Sequence, residues 1–526
     1  MQKILDKISL VSQNAIIIAV ASLASRLLGL FRDRVLASEF GAGATLDAYY
    51  AAFRIPDLIF NLLILGALSS AFIPVFSDLI FRDKKEAWGM VSNFLNIILV
   101  VLIAAMLVIF IFCPWIMRVA TPGFNTVQLE EVTLLTRIML LSPLFMAVSS
   151  IIGGVLNSFG RFFVYSLAPI LYNIGIICGA LYLVPIMGTA GLAWGVVIGA
   201  FAHMMVQVPT FFKVGFRFQK VFNWKDAYFS KIIKLMIPVT IGLALVQINL
   251  LVDNLIGSTL ENGSIAIINL ATNLISMPVG LIGISFAVSV FPILSYAHAQ
   301  KKNDIFVFNF TETFKMMLYL LMPAMVLMLV FRAHIVRLVL GAGLFDVSNT
   351  IWTARTFGYL ALGLVAQGLV PFLARAFYAT GDTKTPVKVV AAAFLVNAIG
   401  SILFTKVIPF KVVGLALAGV IASFVNLFFL LVLLKERFHK IDMNQIFLAS
   451  GKYLIFSIFA GVFSYFTLYY AENYFNTLST IGLLGQTSIA AFVGIFVYLA
   501  LSTLFAVPEA QKLLDGVVGI FRKVLR

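Results

Sequence analysis

The chain has 526 residues, 62% of them hydrophobic and only 11% charged, with a mean hydropathy of +1.05; a water-soluble protein of this length could not bury that much apolar surface. A formal net charge of +15 could suggest nucleic acid, but Lys and Arg fall in short clusters between apolar runs and form no single basic face. The two cysteines, Cys113 and Cys178, each lie in an apolar run without metal-ligand spacing, which argues against a structural disulfide or a zinc site.

The apolar runs continue for about 20 residues without period-two alternation, which selects helices over a closed barrel. In lipid every backbone group must be satisfied within its own segment. The first residues carry Lys3, Asp6 and Lys7 and enter a long apolar run with no small-residue cleavage site, so they read as an anchored first helix. The expected fold is all-α and integral to the membrane, with about fourteen spans. Six lie near 15–39, 47–79, 91–115, 134–159, 164–184 and 190–212. After a polar connector, eight follow near 232–256, 264–296, 314–331, 352–380, 386–407, 412–434, 453–470 and 481–505.

Alternate loops differ sharply in basic residues. One set holds Arg82, Lys84, Lys85, Arg161, Lys213, Arg217, Lys220, Lys225, Lys301, Lys302, Lys384, Lys388, Lys435, Arg437 and Lys440; the other holds little beyond Arg118, Arg332, Arg337, Lys406 and Lys411. The first set is therefore expected in the cytoplasm. An even number of spans puts both termini there, in keeping with the basic tail Arg522, Lys523 and Arg526.

An internal repeat organises the chain. Asn173, an apolar run to Pro185 and then Gly191-Leu192-Ala193 match Asn397, a run of equal length to Pro409 and Gly414-Leu415-Ala416. More loosely, Ser70-Ala71-Phe72-Ile73-Pro74 resembles Ser289-Val290-Phe291-Pro292. Six spans per repeat keep both halves in one orientation, a transporter's layout with a pseudo-two-fold axis along the membrane normal. The expected organisation is a six-helix bundle at 1–212, a cytoplasmic connector at 213–231, a second pseudo-symmetric bundle at 232–440, and two additional helices with a basic tail at 441–526.

Ionisable groups at membrane depth cost roughly 2.5–3.5 kcal/mol each on insertion scales, so they should face a wet cavity or a partner. The first span contains Arg26, Arg32, Asp33 and Arg34, and the second Asp47, Arg54 and Asp57. On a helix, Arg26, Asp33 and the neighbourhood of Gly29 share a stripe from which Arg32 is rotated away. Arg26 and Arg32 suit phosphate, because a guanidinium stays charged and offers a planar fork of donors. Arg34 and Asp33 better fit an anchor or a brace. Asp47 reads equally as a partner for an arginine at a cavity rim or as the N-cap of the second helix. Pro56 should bend that helix. In the second half, Asp253 could bind a coupling sodium ion or proton, with Asn397 and Ser401, one turn apart, as oxygen partners; the alternative is a solvated carboxylate at a helix end. Asn249 and Gln247 read as hydrogen-bonding glue between helices. Arg355 and Arg375 read as snorkelling anchors, and His203 as a solitary histidine without a metal site.

These residues resemble a known family, the MurJ (MviN) lipid II flippases of the multidrug/oligosaccharidyl-lipid/polysaccharide exporter superfamily. The resemblance is carried by Ser25-Arg26-Leu27-Leu28-Gly29, Arg32-Asp33, Phe40-Gly41-Ala42-Gly43, Asp47-Ala48 and Gly66-Ala67, leading to Ala71-Phe72-Ile73-Pro74. Further matches are Thr121-Pro122-Gly123-Phe124, Leu156-Asn157 with Arg161, Ala168-Pro169 with Asn173, and Lys384-Thr385-Pro386-Val387-Lys388. It implies fourteen helices, a central cationic cavity, and alternating access that moves lipid II, an undecaprenyl-pyrophosphate-linked sugar-peptide, to the outer leaflet for peptidoglycan synthesis. It further implies a bacterial inner-membrane location, a groove for the lipid tail in the last two helices, and other cell-wall synthesis proteins as partners. Its functional positions correspond to Ser25, Arg26, Arg32, Asp47 and Arg54. Where many relatives carry arginines, this chain has Phe60, Asn61 and Asn273, so substrate binding is expected to involve Asn61 and Asn273 and to rest mainly on Arg26, Arg32 and Arg54. An ion site in some relatives matches Asp253, Asn397 and the segment around Val413; Na+, H+ or the membrane potential could supply the energy.

Other readings compete. A flippase for another polyprenyl-pyrophosphate-linked oligosaccharide shares these signals. A cation-coupled small-molecule exporter should line its site with carboxylates and aromatics, whereas the membrane-depth charges named above are four arginines against three aspartates. A membrane glycosyltransferase needs outward carboxylates, and Glu130-Glu131 is the only adjacent acidic pair on the short outward loops. A transporter without enzymatic chemistry fits better.

Overall fold

The computed structural model describes residues 2–65 and 72–515. Gly66, Ala67, Ser70 and Ala71 of the motifs above, the tail Arg522, Lys523 and Arg526, and the side chains of Lys3, Asp6 and Lys7 lie outside the described residues. Two compact units emerge: Met1–Ala266 with Ala342–Asp346, and Ile267–Gly341 with Val347–Arg526. The first holds α1 (Gln2–Phe40), α2 (Ala44–Phe60), α3 (Ile73–Arg82), α4 (Lys84–Ala120), α5 (Thr126–Met139), α6 (Leu141–Ser158), α7 (Phe162–Cys178), α8 (Val184–Met187), α9 (Ala190–Met205), α10 (Val208–Lys213) and α11 (Ala227–Ser258). Its boundary falls in the first turn of α12 (Ser264–Pro278). The second holds the rest of α12, then α13 (Ser285–Ala299), α14 (Asn303–Val330), α15 (Arg332–Leu340), α16 (Val347–Leu362), α17 (Leu364–Ala379), α18 (Lys384–Ile402), α19 (Val412–Arg437), α20 (Met443–Ala471) and α21 (Thr480–Leu504).

Eleven helical stretches among the described residues are long and apolar enough to cross a membrane, or twelve if α16 and α17, bent by 45°, form one span. The two further spans expected from sequence, 15–39 and 47–79, each take in residues outside that description; they carry Arg26, Arg32, Asp33, Arg34, Asp47, Arg54 and Asp57.

The repeat reappears in the backbone. π-helical turns occur at Asn61–Leu65, Gly179–Leu183, Val279–Ile284 and Leu403–Val407. The second and fourth start the same distance after Asn173 and Asn397, and the first and third the same distance before Pro74 and Pro292. A π-turn disturbs the regular hydrogen-bond ladder, and such bulges recur at functional sites. Side chains satisfy carbonyls around them: Asn61 Nδ2 donates to Asp57 O at 2.7 Å, Thr405 Oγ1 to Ser401 O at 2.6 Å, and Arg375 Nη1 to Ile284 O at 3.3 Å. Arg375, expected as a snorkelling anchor, thus has a main-chain partner.

Small residues set a close helix contact in the first unit. A Cβ on Gly175 would sit 2.3 Å from Gly199 Cα, and one on Gly179 2.5 Å from Gly195 Cα, so α7 and α9 meet backbone to backbone. The polar connector is strapped to α4: Asn93 Nδ2 donates to Asn223 O at 3.0 Å and Asn223 N to Asn93 Oδ1 at 2.7 Å.

In the second unit, α20 and α21 pack on each other and on α14. Tyr498 OH donates to Tyr319 O at 2.7 Å. At one end of this group Lys315 on α14 lies 2.6 Å from Glu312 Oε1 and 3.6 Å from Glu509 Oε1, while Tyr453 OH donates to Glu509 Oε2 at 2.7 Å. Lys512 pairs with the second oxygen of Glu312. The side chains of Lys315 and Glu509 are 8% and 2% exposed, so each relies mainly on this group for its partners. Lys315→Met should leave Glu509 uncompensated at a cost of about 3–5 kcal/mol, read as a lowered apparent Tm of the purified protein; Lys315→Met with Glu509→Gln should recover much of it.

Candidate functional site

α1 turns a polar stripe toward α7. Asn173 on α7 donates from Nδ2 to Pro169 O at 3.1 Å and Ser25 O at 3.4 Å, and its Oδ1 accepts from Arg32 Nη1 at 3.1 Å. Arg32 also directs Nε and Nη2 to Asp33 Oδ1 at 3.0 and 2.7 Å. Gly29 lies between, with a virtual Cβ 3.9 Å from Asn173 Oδ1. Ser25, Gly29 and Arg32, spaced i, i+4 and i+7, therefore form the face against α7. Arg32, expected to present its fork to phosphate, is thus also the partner of Asp33, whose side chain is 2% exposed against 21% for Arg32. Arg26 and Arg34 are half-buried on the same helix.

Asp47 has a different partner from either one anticipated. The N-cap of its own helix is Gly43, which provides no side-chain bond. Buried to 2% exposure, Asp47 instead accepts from Gly263 N through Oδ2 at 2.6 Å and from Ala266 N through Oδ1 at 2.7 Å, capping the first turn of α12. The helix dipole favours an anion there, and the two oxygens satisfy two N–H groups without an intrahelical acceptor. The loop before α2 is shaped for this approach: Gly263 has φ +93°, and a Cβ on it would meet Ala42 O at 2.1 Å. Two similar contacts lie nearby in sequence. Leu344 N donates to Ser38 O at 2.8 Å, and a Cβ on Gly343 would meet that oxygen at 2.3 Å. Gly123 N donates to Ser258 Oγ at 3.3 Å, and a Cβ on Gly123 would meet Ser258 O at 2.1 Å.

Arg54 on α2 is electrostatically coupled to Asp57, one turn on, and to Asp253 on α11. Asn249 Nδ2 reaches Asp253 Oδ2 at 3.5 Å, and Asp253 is half-buried. Pro56 lies between Arg54 and Asp57, and the π-turn begins at Asn61, so irregular backbone surrounds this polar group.

In the second unit Asn273 is half-buried on α12, while Asn397 and Ser401 on α18 and Val413 on α19 are buried. Ser401 Oγ is buried without a hydrogen-bond partner. Asn397 Oδ1 faces Gly419, 3.8 Å from its virtual Cβ.

Two polar groups escaped sequence reasoning. His203, read as solitary, has Nδ1 2.6 Å from Ser149 Oγ, which also accepts from Gln207 Nε2 at 2.5 Å. The i, i+4 spacing of His203 and Gln207 on one apolar stretch was the available signal; Ser149 gave none. The Lys315 group draws on residues scattered across α14, α20 and the segment after α21. Asp382, in the turn before α18, accounts for the Lys384-Thr385-Pro386 motif. It accepts from Lys384 N at 3.1 Å and Thr385 N at 3.0 Å and pairs with Arg437 at 3.2 Å. Burial raises its proton affinity, but the bonds from Thr385 and Lys384 and the Arg437 charge outweigh that and hold the carboxyl below its usual range.

The sequence matches the family profile described as lipid II flippase MurJ over residues 36–485. It is 31% identical over 429 residues to a probable lipid II flippase MurJ of Vibrio cholerae serotype O1, covering 79% of this chain and 81% of that protein. It is 32% identical over 427 residues to the corresponding protein of Haemophilus influenzae, covering 78% and 83%. Among solved structures, a lipid II flippase MurJ in an inward closed conformation aligns with a TM-score of 0.78 at 26% identity, covering 93% of this chain and 98% of that one. An inward-facing multidrug resistance transporter of the MATE family aligns at 0.69 with 13% identity, covering 79% and 95%, a likeness of fold alone.

The double acceptance by Asp47 makes a specific prediction. Asp47→Asn keeps one acceptor and turns an NH2 group on the other amide, so it should cost about 1–3 kcal/mol, close to Asp47→Ala, and lower the apparent Tm of the purified protein. An unchanged Tm in both variants would show that the cap is dispensable.

Proposed function

Since the chain belongs to the MurJ family of lipid II flippases, we propose that it carries lipid II from the cytoplasmic to the outer leaflet of the bacterial inner membrane by alternating access. It is a multi-pass membrane transporter and not an enzyme. The observation that carries the reading is the family match across 36–485, which spans most of both units. The chemistry agrees. α1 and α2 bring Arg26, Arg32, Arg34 and Arg54 together with Asp33, Glu39, Asp47 and Asp57, and a guanidinium is the side chain suited to a diphosphate. One of the acids, Asp47, is already committed to main-chain donors. Arg32 would reach phosphate by giving up bonds to Asp33 or Asn173, whereas Arg26 lies on another part of the α1 surface. Asn61 and Asn273 stand as neutral hydrogen-bonding positions for the sugar-peptide or diphosphate. In the proposed orientation the Lys- and Arg-rich loops and both termini are cytoplasmic.

Purified protein in liposomes should flip labelled lipid II. Arg26→Ala and Arg32→Ala should abolish rescue of a flippase-depleted cell while the protein still inserts, and Arg34→Ala should be tolerated. Full growth on Arg26→Ala would remove the diphosphate role from α1.

We further propose that Asp253 holds a coupling Na+ or H+. By the repeat, Asn397 is the counterpart of Asn173, whose Oδ1 accepts from Arg32. The positive charge of Arg54 acts on Asp253, so a bound cation would meet it as a competing charge. Sodium removal and Asp253→Asn should each slow flipping. If neither changes the rate, ion coupling at this position fails and the membrane potential remains as the source of energy.

A further inference from the structure

Within the second unit, a pocket of about 520 Å³ opens where α14 passes into α15 beside α16 and the turn before α19. Its lining includes Arg332, Arg355 and Lys411 and no carboxylate. One indole organises two of these cations: Arg355 Cζ lies 5.3 Å and Lys411 Nζ 5.1 Å from the Trp352 ring centroid. Lys411 reaches this position from a backbone at φ +54°, a conformation that a lysine rarely adopts and that the surrounding structure must hold. Arg332 donates one Nη1 bond to Leu329 O at 2.9 Å, leaving further donors of its fork for a ligand. The wall beside it is a glycine: a Cβ on Gly358 would come within 2.9 Å of Arg332 Cδ. Neither Arg332 nor Arg355 has a carboxylate partner among the described residues.

The rest of the lining is apolar or amphipathic, with Leu329, Leu362, Phe410 and exposed Tyr359. Trp and Tyr beside arginines are the side chains that settle at the boundary between headgroups and hydrocarbon. A free inorganic anion would use the cations and leave the apolar wall wet, whereas a phospholipid would use both.

We propose that this pocket binds the phosphate headgroup of an anionic phospholipid. Arg332 and Arg355 hold the phosphate oxygens, Trp352 fixes the Arg355 guanidinium, and an acyl chain lies along Leu329, Leu362 and Phe410. Assignment to the outer leaflet rests on the orientation proposed above; the binding itself does not.

The test is native mass spectrometry of the purified full-length chain titrated with phosphatidylglycerol or phosphatidylcholine, a readout independent of flipping. Wild type should retain phosphatidylglycerol preferentially, and Arg332→Gln with Arg355→Gln should weaken that retention by about tenfold or more, as expected for losing two charge-assisted contacts. Arg337→Gln, on the same short helix but outside the lining, should leave it unchanged. Equal retention by wild type and the double variant would overturn the proposal. An equal loss on Arg337→Gln would reduce it to general surface charge, and complete displacement by millimolar inorganic phosphate would make this a free-anion site. If the double variant does not fold, Gly358→Ala, which crowds Arg332 while keeping every charge, is judged by the same criterion.

Discussion

A main-chain N–H or C=O at membrane depth has no water to turn to, and this constraint explains the most unusual features of the chain. Where the helices are regular it is met without side chains. Where Pro56 and the π-turns disturb the ladder, carbonyls take bonds from Asn61, Thr405 and Arg375. At the start of α12, amides take theirs from Asp47, a residue distant in sequence. The polar side chains of the apolar segments are therefore not all available to a ligand; several complete the backbone.

That distinction changes how the charges of α1 and α2 are understood. Arg32 spends three donors on Asp33 and Asn173, and Asp47 spends both oxygens on amides. Each arrangement is satisfied, which is what lets a charged group persist in a low-dielectric setting. A transporter must also exchange such partners for its substrate, and the energy of that exchange depends on how well the resting state is paired. An arginine with an alternative carboxylate partner is better suited to releasing cargo than one held solely by the cargo.

Much of this architecture was legible because it is periodic. Span positions follow from apolar runs of helical length, and the repeated Asn173 and Asn397 are each followed by a π-turn. The charged residues of the site were legible because charge is costly in lipid. Their partners were not. Nothing in local pattern joins Asp47 to Gly263, Ser149 to His203, or Lys315 to Glu509, since those contacts depend on packing between elements far apart in the chain. The Gly29 stripe was misjudged for the same reason: helical periodicity orders residues around α1, but α7 decides which face matters.

The repeat also locates where the halves have diverged. The same separation along the chain relates Ser38 to Ser258, Gly123 to Gly343 and Asp33 to Asp253, and the first two pairs make matching close contacts. In the first half the residue before the carboxylate is Arg32, which neutralises it directly; in the second it is Val252. Asp253 has Asn249 one turn away and feels the positive charge of Arg54 from another helix. A carboxylate whose counter-charge comes from its own helix keeps it through any motion of that helix. One whose counter-charge comes from another helix is neutralised only while the two stay together, so its need for a cation varies with conformation, and that variation is the physical requirement for coupling an ion to transport.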